Sequence, residues 1–511
     1  MKYGKILLIV FLCIGFMYRF AILAQFRSTV FFNPAVMDKH DQKTFHIIAQ
    51  EIVKHPVAVD GQPFYMAPLY FYFLAVLYAI LGGSVFAVGI VQIFIDILCG
   101  YLLYRIGRHL SDEKTGLIAL ALYVFYRTAA VYSVTILSDS LILFLNIAFI
   151  SAVYWSLRKP TWYRWILAGI TLGLATLAKP TILAFVPLLT IGICLYPENQ
   201  IIPVKIRMKF LQMLVALAVV IVACALIIAP VTLRNWFVAK QFIPICTNGP
   251  VNWQIGNSAD STGLFCYPKG PLLSPLSGAF WKLVGTKVMF FFNSYEWPQN
   301  LNVYMIQKVV PAMKFGIIHY GLVSSLGIVA FFLVSQWRRR FLFYSFAIFQ
   351  ILWVILFFVT DRYRLPAAAC FVLLSAIVVR EGFSLLQKKK VAKTAGILCG
   401  AGIWAFFFVP FPQPQIQDMH YRIFASLSRA NIVNDLRERN LAKATKESDA
   451  FVSLLPDYPD SHFFRACVLV QQGNIQLAIE ELKTTLAINP QHALARQFLQ
   501  QLSLRGSTPD N

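Results

Sequence analysis

Residues 37 to 55, MDKHDQKTFHIIAQEIVKH, set Asp38, Asp41 and Glu51 among His40, His46 and His55. A carboxylate in such a segment can take a proton from a hydroxyl as it attacks an electrophile. The three histidines keep no recognised ligand spacing, so they do not define a metal site. Asp41 also has a plainer use as the N-cap of a helix. A second group of residues is cationic: Lys179 in LAKPT, Arg234 in LRNW, and Arg362 and Arg364 in DRYRLPA. Guanidinium groups grip phosphate oxygens in a fixed fork, so these four side chains suit a lipid-linked phosphate or diphosphate. The alternative is that they pair with Asp139, Asp361 or lipid head groups. A base and an anion clamp together make group transfer from a phosphate leaving group the chemistry to test.

The elements that must carry these residues are membrane helices. The chain has 511 residues, of which 58% are apolar and 13% charged, and its mean hydropathy is +0.64; a soluble domain is excluded. Apolar windows of roughly 20 residues fall near 6–24, 85–104, 115–134, 137–157, 163–178, 181–196, 211–230, 313–334, 341–359, 365–380 and 392–409. The expected fold is therefore an all-α polytopic bundle of about 11 crossings, with a range of 10 to 13. The first window is long enough to span and has no A-x-A cleavage site behind it, so it reads as a retained helix. The run 69–81 is too short to cross and suits an interfacial helix. Residues 42 to 54 carry Phe45, Ile48, Ala49, Ile52 and Val53 at helical spacing and should form a second interfacial helix.

The net charge of +22 follows the positive-inside rule and calls for no nucleic acid. With Lys2 and Lys5 inside, the basic connections RIGRHLSDEK (105–114), LRKPTWYR (157–164), PENQIIPVKIRMK (197–209), QWRRR (336–340) and REGFSLLQKKKVAK (380–393) all become cytoplasmic. The loops 25–84 and 231–312 and everything beyond 410 then lie outside. The four cations named above stand at outer helix ends, where the rule makes them scarce. Within the spans, Asp96 and Arg127 are the deep charges. Most cysteines sit in apolar segments and simply pack, while Cys246 and Cys266 share one outer loop and could pair.

The first 409 residues form the membrane domain. PFPQPQ opens a linker, 410–427, and residues 428–505 read as a tetratricopeptide-like domain. There, Pro456 and Pro490, and likewise Ala444 and Ala478, stand one repeat period of roughly 34 residues apart. Such helix pairs stack into a surface that takes a partner chain, or else form a small packing cap.

Taken in order, these motifs resemble a known family. Asp41, Phe45 and Ala49, then PFYMAPLYFYFLAVLYAILG (63–82), then ILSDS with Asp139, LAKPT, LRNW, NGPVNWQIGNSADSTG (248–263) and DRYRLPA are similar to the bacterial relatives of protein O-mannosyltransferases and of the lipid A aminoarabinose transferase. Both belong to the GT-C glycosyltransferase superfamily, and several members end in tetratricopeptide repeats. The resemblance implies a polyprenyl-phosphate sugar as donor and a glycan, lipid or protein acceptor approaching from outside. It implies that an acid of the first outer loop is the base: Asp41, with Asp38 as the alternative. It assigns donor-phosphate binding to Lys179, Arg234, Arg362 and Arg364, and the sugar or acceptor pocket to Tyr70, Asp139, Gly256 and Asn257. Gln42 follows Asp41 where the classical mannosyltransferases have Glu, and Phe45 stands where many members have Tyr. Metal dependence varies in the family, so a divalent metal stays open and no other cofactor is implied. A phosphate leaving group needs no separate acid, so one carboxylate suffices for an inverting transfer; glycoside hydrolases use two.

The expected residence is a bacterial cytoplasmic membrane, with membrane lipids around the bundle and an envelope protein as a candidate partner of the tail. A polyprenyl-lipid flippase or polysaccharide exporter would also want outer cations and many helices. Transport, however, lines a path with ionisable residues deep in the spans, and few are present. A non-catalytic scaffold would not need so many crossings.

Overall fold

In the computed structural model, residues 2–37, 40–56, 61–196, 206–333, 336–407 and 414–505 are described, and the elements among them are helical. In chain order the α-helices are α1 Lys2–Phe26, α2 Asp41–Lys54, α3 Leu69–Leu81, α4 Val85–Leu110, α5 Glu113–Val124, α6 Arg127–Tyr132, α7 Asp139–Arg158, α8 Trp162–Ala178, α9 Val186–Leu195, α10 Ile206–Ala239 and α11 Gly249–Asn257. They continue with α12 Gly278–Phe292, α13 Val303–Val309, α14 Tyr320–Val329, α15 Trp337–Leu356, α16 Asp361–Gln387, α17 Val391–Phe407, α18 Pro414–Arg437, α19 Leu441–Leu454, α20 Pro459–Gln471, α21 Ile475–Ile488 and α22 Ala493–Arg505. The chain divides into two compact units. One comprises residues 1–25, 45–299 and 310–411; the other comprises 26–44, 300–309 and 412–511.

Among the described residues of the first unit, six helices are long and apolar enough to cross a membrane: α1 from Tyr3, α4, α7, α10 from Leu211, α15 and α16. Their burial differs widely. The most apolar window of α7 is 78% buried, whereas that of α10 is 17% buried although its mean hydropathy is 3.1. Such an apolar yet uncovered helix faces lipid, and α7 is the centre of the bundle. α10 is held through α8, where Gly169 and Gly173 form a G-x-x-x-G face. A Cβ at Gly169 would come within 2.6 Å of the Val220 carbonyl, and one at Gly173 within 2.7 Å of Ile227 Cβ. Removing those side chains lets the two backbones close together.

Four of the remaining expected windows carry shorter apolar helices. α8 has 17 residues, and the segments 180–195, 320–332 and 391–406 are shorter apolar helices. Window 115–134 is not one helix: α5 stops at Val124 and α6 starts at Arg127. Hydropathy cannot detect this break, because its backbone groups are satisfied from elsewhere. Arg127 N donates to the Ile318 carbonyl at 3.1 Å, and Ile318 N donates to the Phe125 carbonyl at 3.2 Å. The end of α5 is closed by Arg19 of α1, whose guanidinium donates to the carbonyls of Val124 (2.9 Å) and Tyr123 (3.4 Å). Arg19 is fully buried and paired with Asp96 of α4, so a third deep charge joins the two expected ones. An ion pair that also caps helix carbonyls is satisfied in place and does not mark a transport path.

The short α3 has the 13 residues expected of it. α2 runs from Asp41 to Lys54 and buries Phe45, Ala49 and Ile52 while Val53 is exposed. Cys246 and Cys266 are both free thiols, so the conceivable pairing between them is not formed.

The second unit is built mainly from α18 to α22, each packed on the next. A core of Ala466, Ala478, Leu482, Ala495 and Leu502 joins α20, α21 and α22. The first part of the expected domain boundary is corrected here. Residues 414–427, assigned to a linker, belong to α18, because from Pro414 onward the chain follows a helix-compatible sequence with proline only at its first turn. Residues 408–413 lie outside the described part. The unit also recruits α13 and the segment 26–44: Phe31 packs on Phe424 with ring centroids 5.8 Å apart, and Asn431 Nδ2 donates to the Val30 carbonyl.

Candidate active site

A cavity of about 450 Å³ opens in the first unit where α7 and α16 begin. Its charged wall is made of Asp139, the first residue of α7, Lys179, which follows α8, and Arg362, the second residue of α16. Arg362 Nε donates to Asp139 Oδ1 at 3.1 Å, and both side chains are about 4% exposed. The other carboxylate oxygen, Asp139 Oδ2, is buried with no hydrogen-bond partner among the described residues. The Lys179 ammonium lies 3.8 Å from the centre of the Tyr363 ring. Burial lowers its pKa from 10.5 to about 8; the Asp139 charge opposes that shift, and Arg362 adds to it. Two helix N-termini therefore converge on a site with two cations and one carboxylate, an arrangement suited to an anion.

The other walls are apolar or amide-bearing. Leu183, Ala184, Trp353, Val354 and Phe357 provide a greasy flank, and Asn248 and Asn252 reach in from the start of α11. Phe45 of α2 closes one side; its ring packs edge-on against Tyr70 with centroids 4.8 Å apart.

Among the residues expected at a site, Asp139, Lys179 and Arg362 are thus brought together, while others have different work. Arg364 is fully buried and knits the 291–296 turn. It donates to the carbonyls of Phe291, Asn293 and Tyr295, pairs with Glu296 at 3.1 Å, and stacks on Tyr320. It is not among the residues that line the cavity. Arg234 donates to the Gln62 carbonyl at 3.0 Å and lies over the Phe64 ring at 4.0 Å, so it fastens that loop and does not line the cavity. The Tyr70 hydroxyl donates to Gln92 at 2.6 Å, so this residue supports Phe45 from behind. Gly256 and Asn257 belong to α11. A Cβ on Gly256 would come within 2.0 Å of the Phe357 carbonyl, and Asn257 accepts from Lys287 Nζ at 2.8 Å and donates to the Leu356 carbonyl. Their role is close packing of α11 on the end of α15.

In the second unit, Asp41 opens α2 and is held by Asn300: Asn300 Nδ2 donates to Asp41 Oδ2 at 2.9 Å, and Asp41 N donates back to Asn300 Oδ1 at 3.3 Å. Gln42 bonds to the Asn300 carbonyl, and burial lowers the pKa of His40. Asp38 lies outside the described residues. The sequence reading missed Asn300 and Glu296. Their one signal was the stretch NSYEWPQNLN, where polar groups alternate with aromatics in an outer loop. Among the described residues, no three His, Cys, Asp or Glu side chains gather as a ligand set.

Residues 62–227 match the model of the family described as dolichyl-phosphate-mannose-protein mannosyltransferase. This segment carries Asp139 and Lys179. No curated protein matches the chain by sequence. Among solved structures, the fold is similar to ArnT from Cupriavidus metallidurans bound to undecaprenyl phosphate, with 11% identity, 94% of this chain and 75% of that one covered, and a TM-score of 0.47. It is also similar to the apo oligosaccharyltransferase of Archaeoglobus fulgidus (11% identity, 83% and 56% covered, TM-score 0.45). A third is the same organism's AglB in complex with an inhibitory peptide and a dolichol-phosphate (12%, 83% and 56%, TM-score 0.44). This chain thus spans little more than half the length of the archaeal enzyme. At such scores the likeness does not bear on activity.

Proposed function

We propose that this chain, whose residues 62–227 match the dolichyl-phosphate-mannose-protein mannosyltransferase model, is a GT-C enzyme that transfers one sugar from a polyprenyl-phosphate donor to a hydroxyl acceptor at the outer face of a bacterial cytoplasmic membrane. The observation that carries the reading is the convergence of Lys179, Arg362 and the starts of α7 and α16 on one cavity with an apolar flank. In this reading the donor phosphate sits against Lys179 and Arg362, and its first isoprene units lie along Trp353, Val354 and Phe357. As the glycosidic bond breaks, charge develops on the departing phosphate, and preorganised cations and helix dipoles stabilise it more than they stabilise the ground state. Asp139 orients Arg362 through one oxygen and presents the other to the sugar hydroxyls.

Asp41 is the proposed base, removing the acceptor proton as the oxygen attacks the anomeric carbon. The reaction is then a single displacement with inversion. Asn300 holds the Asp41 carboxylate in one orientation and thereby acts as a positioning residue. Helices α19 to α22 are proposed to be tetratricopeptide-type pairs that dock an envelope protein outside the membrane. Sugar, acceptor and any divalent metal belong to the same set of tests.

The deciding experiment supplies full-length protein in nanodiscs with radiolabelled polyprenyl-phosphate sugars and envelope extract, comparing wild type with Asp41→Asn and Lys179→Met. Transfer that is lost in Asp41→Asn with donor binding retained, and weakened donor binding in Lys179→Met, is the expected pattern. Wild-type transfer in both variants overturns the assignment, and lipid crossing without sugar transfer would favour a flippase.

A further inference from the structure

A second, larger cavity of about 810 Å³ lies in the same unit. The end of α4, the end of α7, the start of α15 and the first turns of α1 form its walls. Arg105, Arg108, Arg158, Arg339 and Lys5 line it against a single carboxylate, Glu113. Among the described residues none of these five cations has a carboxylate partner within 4.0 Å. Arg105 Nη1 is turned toward the Tyr101 hydroxyl at 3.0 Å, and Tyr196 is fixed to His109 by a 2.6 Å hydrogen bond. The cavity is therefore shaped by paired aromatic and polar groups, while among the described residues its five cations form no ion pair. One wall, Leu8 and Ile9 of α1, is apolar, and α1 exposes Ile6, Ile9 and Val10 along its length.

Position separates this cavity from the first. Asp139 and Arg158 are the first and last residues of α7, whose 20 residues span roughly 30 Å. Arg339 and Trp353 of α15 lie in the two cavities in the opposite order. If the first cavity is on the outer side, the second opens on the cytoplasmic side, as the basic connections require.

We infer that this cavity is a binding site for an anion with two phosphate charges, delivered as the head group of an inner-leaflet lipid. Several guanidinium forks around one space match such an anion, because a single phosphate cannot neutralise them. The apolar α1 wall leads directly to where acyl chains lie, and basic pockets between spans on this side take anionic head groups. The site shares no lining residue with the first cavity and points to an effect of lipid composition on the protein.

The test uses delipidated full-length protein, titrated with a bisphosphate lipid such as cardiolipin and read by native mass spectrometry. Inorganic pyrophosphate forms the soluble arm. Arg105→Gln with Arg158→Gln should weaken lipid binding roughly tenfold or more, whereas Lys388→Gln with Lys390→Gln, on the same side but outside the cavity, should not. Thermal unfolding without lipid checks that both double variants fold. Equal loss in the two pairs, or none in the first, overturns the site. Displacement of the lipid by pyrophosphate at equal charge keeps the phosphate chemistry and overturns the lipid as its source.

Discussion

Asp139 Oδ1 accepts the Nε–H of Arg362 at 3.1 Å across the first turns of two different helices, α7 and α16. The pair fixes the guanidinium against the first turn of α7. Because Asp139 keeps its second oxygen without a hydrogen-bond partner among the described residues, Asp139→Asn should retain the fold while loosening Arg362. The expected result is a donor KM raised by roughly tenfold, consistent with loss of one charge-assisted hydrogen bond, measured by initial rates over a donor series.

The base assignment predicts a different kinetic signature. Asp41→Asn should lower kcat by roughly 10²–10⁴-fold with little change in donor KM. Asn300→Ala, which frees the carboxylate without removing it, should lower kcat by less than that. If Asn300→Ala matched Asp41→Asn, the amide itself would be the catalytic group.

Lys179 gives the pH dependence. Burial lowers its pKa to about 8, so the ammonium is charged below that pH and neutral above it. A donor phosphodiester stays ionised throughout, so donor affinity should be full below pH 8 and fall as pH rises through it. Lys179→Arg, charged across this range, should flatten the curve. A wild-type affinity unchanged from pH 7 to 10 would remove Lys179 from the donor site.

Two buried pairs should matter to stability alone. Removing one partner of a buried ion pair leaves the other charge uncompensated, at a cost of about 3–5 kcal/mol. Arg364→Leu and Arg19→Leu should each lower the unfolding temperature in detergent markedly. Arg19→Leu combined with Asp96→Leu should recover part of the loss, because no lone charge remains.

Gly256→Ala probes the contact of α11 with α15. The new methyl would meet the Phe357 carbonyl at 2.0 Å, so backbone must move, at a cost of about 1–3 kcal/mol. Gly285→Ala, in the interior of α12 where nothing lies within 4 Å, is the matched control and should raise the unfolding temperature slightly, because alanine is the better helix former by about 1 kcal/mol.

Much of this was legible from residue order. The short helices at 42–54 and 69–81 were legible because their apolar spacing and shortness are local properties, and the structure has helices at Asp41–Lys54 and Leu69–Leu81. Arg362 and Arg364 show where legibility ends. They are two residues apart in one motif and chemically identical, yet one lines the cavity and the other ties a turn. A helix rotates successive even positions by about 200°, so the neighbours of each side chain, and not its type, decide its role. Arg19 was hidden for the same reason: within a long apolar run its charge had no visible partner until α4 supplied Asp96.

The interrupted crossing at Phe125 to Arg127 bears on how the chain is made. Among the described residues, the Arg127 amide and the Phe125 carbonyl find backbone counterparts on Ile318, which leaves the ribosome much later. Until then this half-finished segment would sit in hydrocarbon with bare peptide groups. Biogenesis must therefore shelter it, in the translocon or beside an insertase, until the second interrupted segment arrives and the two enter the bilayer as a sutured couple.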